Sequence, residues 1–125
     1  MSGVVFDTGA LLALERGDRA MLVLVAEARS GNDKITVPAG CDAQAWRRPA
    51  RQARIAAFLR LPNVDVVSLN DADARMVGLL LAASSGADIA DGHVALCATR
   101  LHQTVLTSDP ENIRALAPRV TVRRV

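Results

Sequence analysis

The chain has 125 residues, half of them hydrophobic, with a mean hydropathy of +0.20. That suffices for a single domain over residues 1–125 with its own core, and the apolar surplus points to a face covered by a partner. The net charge is near balance at +2, and two cysteines are too few and too isolated for a disulfide scaffold or zinc site; no apolar run approaches the roughly 18 residues of a membrane span.

In chain order, Met1-Ser2-Gly3 carries no basic segment ahead of an apolar one, so no signal peptide is expected and the location is read as cytoplasmic. A strand is expected at Val4–Phe6, followed at once by Asp7. Helical patterns follow at Ala10–Arg16 and Arg19–Arg29, the second with Leu22, Val25 and Ala26 at helical spacing. A strand at Ile35–Val37 leads into helices over Ala39–Arg48 and Ala50–Leu61, with Pro49 breaking one and starting the next. A third strand, Val64–Val67, precedes a helix over Ala72–Ala83, where Met76, Leu79, Leu80 and Ala83 form an apolar stripe. Ser84-Ser85-Gly86 reads as a turn. The remainder reads as a helix at Ile89–Leu101, a strand at Thr104–Leu106, a short helix at Glu111–Leu116 and a strand at Val120–Val122. Short β-rich runs alternating with helices predict an α/β chain, a mostly parallel sheet of about five strands with helices on its faces.

Asp7 is the most informative residue. A carboxylate at the carboxyl end of a first strand points to where open α/β sheets keep their ligands. Asp91 and Asp109 recur in matching settings, at a helix start and a strand end. Each has a structural explanation. Asp88 is placed to cap the helix that follows, with Asp91 at its third position; Asp109 is placed to cap a helix opening on Pro110. Asp7 resists that explanation, because Thr8 is available to cap the next helix. Parallel topology gathers strand ends on one edge, and carboxylates gathered there repel unless a cation neutralises them. Hard oxygen ligands with open water positions suit Mg²⁺ or Mn²⁺.

Four segments carry a resemblance to a known family: Val5-Phe6-Asp7-Thr8-Gly9-Ala10-Leu11, Ile35-Thr36-Val37-Pro38, Asp88-Ile89-Ala90-Asp91-Gly92-His93-Val94-Ala95-Leu96-Cys97-Ala98, and Val105-Leu106-Thr107-Ser108-Asp109. In order and spacing they resemble the PIN-domain family and, within it, the VapC-type toxins of toxin–antitoxin pairs, over nearly the whole chain. The resemblance implies a three-layer α/β/α fold and Mg²⁺-dependent endoribonuclease activity, with Asp7, Asp91 and Asp109 as the catalytic, metal-holding acids. Thr107 matches a hydroxyl position beside them. It also implies a homodimer and a VapB-type antitoxin whose tail lies near the acids, with no membrane partner. One departure stands out: the family usually has a glutamate where this chain has Gln44. Glutamine keeps an oxygen ligand but loses a charge, and Asp88, on the helix of Asp91, is placed to compensate. Asp42 occupies a position that is usually apolar.

Arg47, Arg51 and Arg54, with Arg48 beside them, would form one stripe on a continuous helix, a phosphate track leading RNA to the acids. Only Trp46, Phe6 and Phe58 are aromatic, so phosphate contacts rather than stacking would supply affinity. Serine-nucleophile, P-loop and dinucleotide motifs are absent, and neither His93 nor His102 sits where acid–base chemistry needs it. Two rival functions remain. A catalytically weak PIN-like module that binds RNA or a protein would explain Gln44 and Asp42. A phospho-acceptor with Asp7 as nucleophile is disfavoured, because Asp7-Thr8-Gly9 lacks a second nearby acid and Lys34 is the sole lysine.

Overall fold

A computed structural model describes residues 3–125; Met1 and Ser2, where the reading against a signal peptide falls, lie outside it. Five strands form one sheet, β1 (Val4–Phe6), β2 (Ile35–Pro38), β3 (Val64–Val67), β4 (Thr104–Thr107) and β5 (Val122–Arg124), in the order β3-β2-β1-β4-β5. Every pairing is parallel. Seven helices connect and cover them: α1 (Thr8–Glu15), α2 (Arg19–Gly31), α3 (Ala39–Ala45), α4 (Ala53–Leu59), α5 (Asp71–Ala82), α6 (Ile89–Leu101) and α7 (Pro110–Leu116). This is the α/β architecture expected. Among the described residues no helix is long and apolar enough to cross a membrane.

The central strands read as unbroken apolar runs because both their faces are covered. Val5, Phe6, Ile35, Val37, Val105 and Leu106 are buried. Phe6 stacks on Phe58 of α4, ring centroids 5.1 Å apart, which ties α4 to the strand that ends at Asp7. Helix α6 is apolar on more than one face: Ala90, Gly92, Val94, Ala95, Leu96, Cys97 and Ala98 are all buried, and it packs against α3, α5 and α7 as well as the sheet. Both cysteines are buried and free, as small hydrophobes; burial pushes the Cys41 thiol up to about 12 and the Cys97 thiol to about 11.

Several expectations are corrected. The segment expected as one helix to Arg48 stops at Ala45, with Trp46 already extended. A single 3-10 turn at Pro49–Arg51 follows, and α4 starts only at Ala53. Gln52 holds this break together. Its side chain, 2% exposed, accepts from the N–H groups of Arg47 and Arg48 (both 2.9 Å) and donates to the carbonyl of Ala45 (2.7 Å). The last strand is Val122–Arg124 rather than Val120–Val122, because Val105 takes Val122 as its partner and Thr107 takes Arg124. The apolar stripe of α5 faces inward only in part: Leu80 packs against the core beside the buried Val77, whereas Met76 and Leu79 are 46% and 69% exposed.

Candidate active site

Strand register brings the acids to one edge. Phe6 pairs with Leu106, and the N–H of Asp7 continues the ladder to the Leu106 carbonyl (3.2 Å), so Asp7 stands beside Thr107. Strand order runs outward through β2 and β3 on one side of β1, and through β4 and β5 on the other. The seam between β1 and β4 is therefore the switch point, beyond which a crevice opens. Gly9 allows the walls to close: a methyl there would overlap the Ser108 hydroxyl and stand 2.6 Å from the Ser108 Cβ.

A cleft of about 280 Å³ lies in this crevice, lined by Asp7, Asp88, Asp91 and Asp109 together with Thr8, Gln44, Ser108 and Asn112. Among the described residues, no lysine or arginine lines it. The three acids singled out from sequence thus share one cleft with Asp88 and Gln44. Asp7, Asp88 and Asp91 also have structural roles. Asp7 is the N-cap of α1, its Oδ1 accepting from the Ala10 N–H at 2.8 Å; Thr8, expected as the cap, is already helical. Asp88 caps α6 and Asp91 returns the bond, a reciprocal box at 2.9 and 3.0 Å. Asn112 of α7 donates to Asp91 Oδ2 at 3.3 Å. Asp109 precedes Pro110 at the start of α7 but makes no side-chain cap bond, and its own N–H donates to Thr107 Oγ1 (2.8 Å). Asn112 was missed from sequence; its signal is its place three residues after Asp109, on the same first turn.

Burial holds the Asp7 carboxyl above the ordinary carboxylate range, and hydrogen bonds from the Thr107 hydroxyl and the N–H groups of Ala10, Ser108 and Gly9 offset only part of this. Asp91 is raised as well, by burial and then by the neighbouring Asp88 charge. Asp88, more exposed, is held below its usual value because the Asp91 N–H and the Gln44 amide outweigh its partial burial.

The donors are all oxygens, which fits a hard divalent cation. Their spacing as it stands does not complete a cage: among the described residues no three His, Cys, Asp or Glu side chains stand together closely enough to hold one ion.

Gln44 spans the cleft. Its Oε1 accepts from the Thr8 hydroxyl (2.6 Å) and its Nε2 donates to Asp88 Oδ2 (3.1 Å), joining α1 to α6. Gln44→Glu removes the donor and sets a carboxylate against Asp88. The variant should melt lower than the native chain in EDTA and gain more from Mg²⁺, because the added charge both repels Asp88 and attracts the ion. Thermal melts with and without Mg²⁺ check this; an Mg²⁺-dependent gain no larger than the native one would put residue 44 outside the ion's reach. Asp42 does not line the cleft; it lies half-buried in the first turn of α3, where the helix dipole favours an acid. His93 is fully buried away from the cleft, its Nδ1 accepting from the Gly40 N–H at 3.3 Å.

The arginines do not form the expected stripe, because the helix that would carry it is broken between Ala45 and Ala53. Arg47, Arg48 and Arg51 line a second concavity of about 490 Å³, which meets the acidic cleft at Leu12 and Gln44. Arg54 leaves the group; its guanidinium donates to the Glu15 carbonyl (3.0 Å) and packs over Gly17. Of the three aromatics, Trp46 alone is exposed.

Sheet order, layers and cleft define a three-layer α/β/α fold of PIN-like type. Two solved complexes contain chains of this fold. VapBC2 from Rickettsia felis, bound to a DNA fragment from their promoter, has a chain 12% identical to this one, with a TM-score of 0.72 over 98% of both chains. FitAB bound to the IR36 DNA fragment has one 13% identical, with a TM-score of 0.62 over 97% of this chain and 94% of that one. No protein-family model matches the sequence, and no curated protein is similar to it in sequence. At these identities the likeness is one of fold.

Proposed function

We propose that the chain is the toxin of a toxin–antitoxin pair, a metal-dependent endoribonuclease that works in the cytoplasm. The observation that carries this reading is the cleft itself: four aspartates at the switch point of a PIN-like sheet, with no lysine or arginine among the described residues lining it to balance them. Asp7, Asp91 and Asp109 line one cleft and, drawn closer than they stand here, would hold Mg²⁺ or Mn²⁺. A bound ion of this kind acidifies a water and steadies charge on the reacting phosphate. The chain's own part is to fix the carboxylates. The α1 cap holds Asp7, the α6 capping box and Asn112 hold Asp91, and the Thr107 hydroxyl orients the backbone at Asp109. Partner proteins of VapB type and a second copy of the chain are part of the proposal. Exposed Leu22 and Val23 on α2, and Met76 and Leu79 on α5, offer apolar surface for them.

The test is a mixed RNA pool incubated with the purified chain in Mg²⁺, in Mn²⁺ and in EDTA, beside Asp91→Ala. Cleavage only with metal, and lost in the variant, is expected. Cleavage that survives EDTA, or that Asp91→Ala retains, overturns the proposal. The rival reading, a catalytically weak binding module, rests on the capped carboxylates and on Gln44 being engaged at both ends. RNA binding without cleavage in either metal would favour it.

A further inference from the structure

Four arginines from separate parts of the chain meet in the concavity beside the acids: Arg16, just past the end of α1, and Arg47, Arg48 and Arg51 from the break between α3 and α4. Arg16 is distant in sequence from the rest, and nothing in the local pattern associates it with them. A single carboxylate, Glu15, shares the lining with the four arginines, of which Arg47 also donates to the Ala43 carbonyl (3.0 Å). No ion pair within 4.0 Å neutralises any of the four among the described residues. All four are exposed, so solvent screens much of their repulsion, and an anion seated among them would relieve what one carboxylate leaves unbalanced.

The pocket is built rather than incidental. The buried Gln52 fixes the chain at Arg47 and Arg48 through three hydrogen bonds of 2.7–2.9 Å and itself lines the concavity. It thereby holds a loop that would otherwise leave backbone groups unpaired. The concavity shares Leu12 and Gln44 with the acidic cleft, so a chain lying across both crosses directly from four arginines to four aspartates. Acids repel a phosphate and arginines hold it bidentately. A polyanion entering the acidic cleft needs such an anchor next to it.

We propose that Arg16, Arg47, Arg48 and Arg51 form a phosphate pocket for the RNA backbone next to the bond that is cut, with Arg16 a member and Arg54 not. This rests on the RNA reading above, but it is tested without cleavage. The probe is a fluorescent RNA decamer titrated with the full chain in EDTA at several salt concentrations. Arg16→Gln should weaken binding about 5–10-fold and make the log–log salt slope shallower by about 0.7, the share of one phosphate contact on a single strand. Arg29→Gln removes the same charge from a residue that lines neither the pocket nor the cleft, and should change both by much less. Arg54→Gln should resemble Arg29→Gln.

Equal losses in Arg16→Gln and Arg29→Gln would mean diffuse attraction and overturn the pocket. So would failure of the native chain to bind the decamer, or an unchanged slope in Arg16→Gln. An Arg16→Gln loss in a chain that never cuts RNA in Mg²⁺ keeps the pocket and removes the nuclease. Cutting by a chain whose Arg16→Gln variant binds normally does the reverse.

Discussion

Asp7→Asn should lower Mg²⁺-dependent RNA cleavage by more than about 100-fold while making the metal-free protein more heat-stable at neutral pH. The two effects have one origin. Asp7 is 6% exposed, and burial raises its carboxyl in the folded chain. A carboxyl raised by folding contributes stability that is fully present below its unfolded value of 3.8 and is lost as pH rises through the folded value. At neutral pH the charged form is therefore a burden on the fold. Asparagine removes the charge and keeps an oxygen for the Ala10 N–H, so the cap survives. Melting curves in EDTA should show a gain of a few degrees at pH 7 that disappears near pH 3. A gain that persists at low pH would mean that charge burial is not its source, and cleavage that persists would remove Asp7 from the chemistry.

Gly9→Ala should cost about 1–3 kcal/mol of stability and most of the cleavage, without touching any acid. Gly9 sits where α1 meets the loop between β4 and α7, and the added methyl would stand 2.6 Å from the Ser108 Cβ. Rotating the serine hydroxyl relieves only part of the overlap; the loop itself must move. That loop carries Asp109 and connects to the Thr107 hydroxyl that orients it. Urea unfolding measures the stability cost, and cleavage by the folded fraction measures the displacement. Gly9→Ala combined with Ser108→Gly should recover much of both. If it recovers neither, the contact is not the cause.

What was legible in the sequence was what depends on short-range pattern. The strand Val4–Phe6 and the helix Ile89–Leu101 lie where periodicity put them, and the Asp88–Asp91 box was readable because its partners are three residues apart. The parallel order could be inferred because connections through helices favour it. What could not be read depended on partners distant in sequence. The break after Ala45 is stabilised by Gln52, a residue with no apolar or turn signature, and it scattered the arginine stripe. Arg16 joined the others only through folding. Gln44 looked like a weakened ligand; its bonds to Thr8 and Asp88 belong to helices that meet only in three dimensions. On α5 the spacing was helical, but spacing alone does not tell which face turns inward, and Met76 and Leu79 stayed outside.

The two outermost strands have a consequence for how copies of this chain can meet. β3 and β5 each leave one side of the sheet unpaired among the described residues. Both are short, four and three residues, and both carry charge: Asp65, with Lys34 at 3.5 Å from it, on β3, and Arg123 and Arg124 on β5. Short, charged borders discourage a neighbouring strand from docking, which guards against runaway β-aggregation. Continuous sheets across two molecules are thereby disfavoured, and a second copy is left with helical surface to grip.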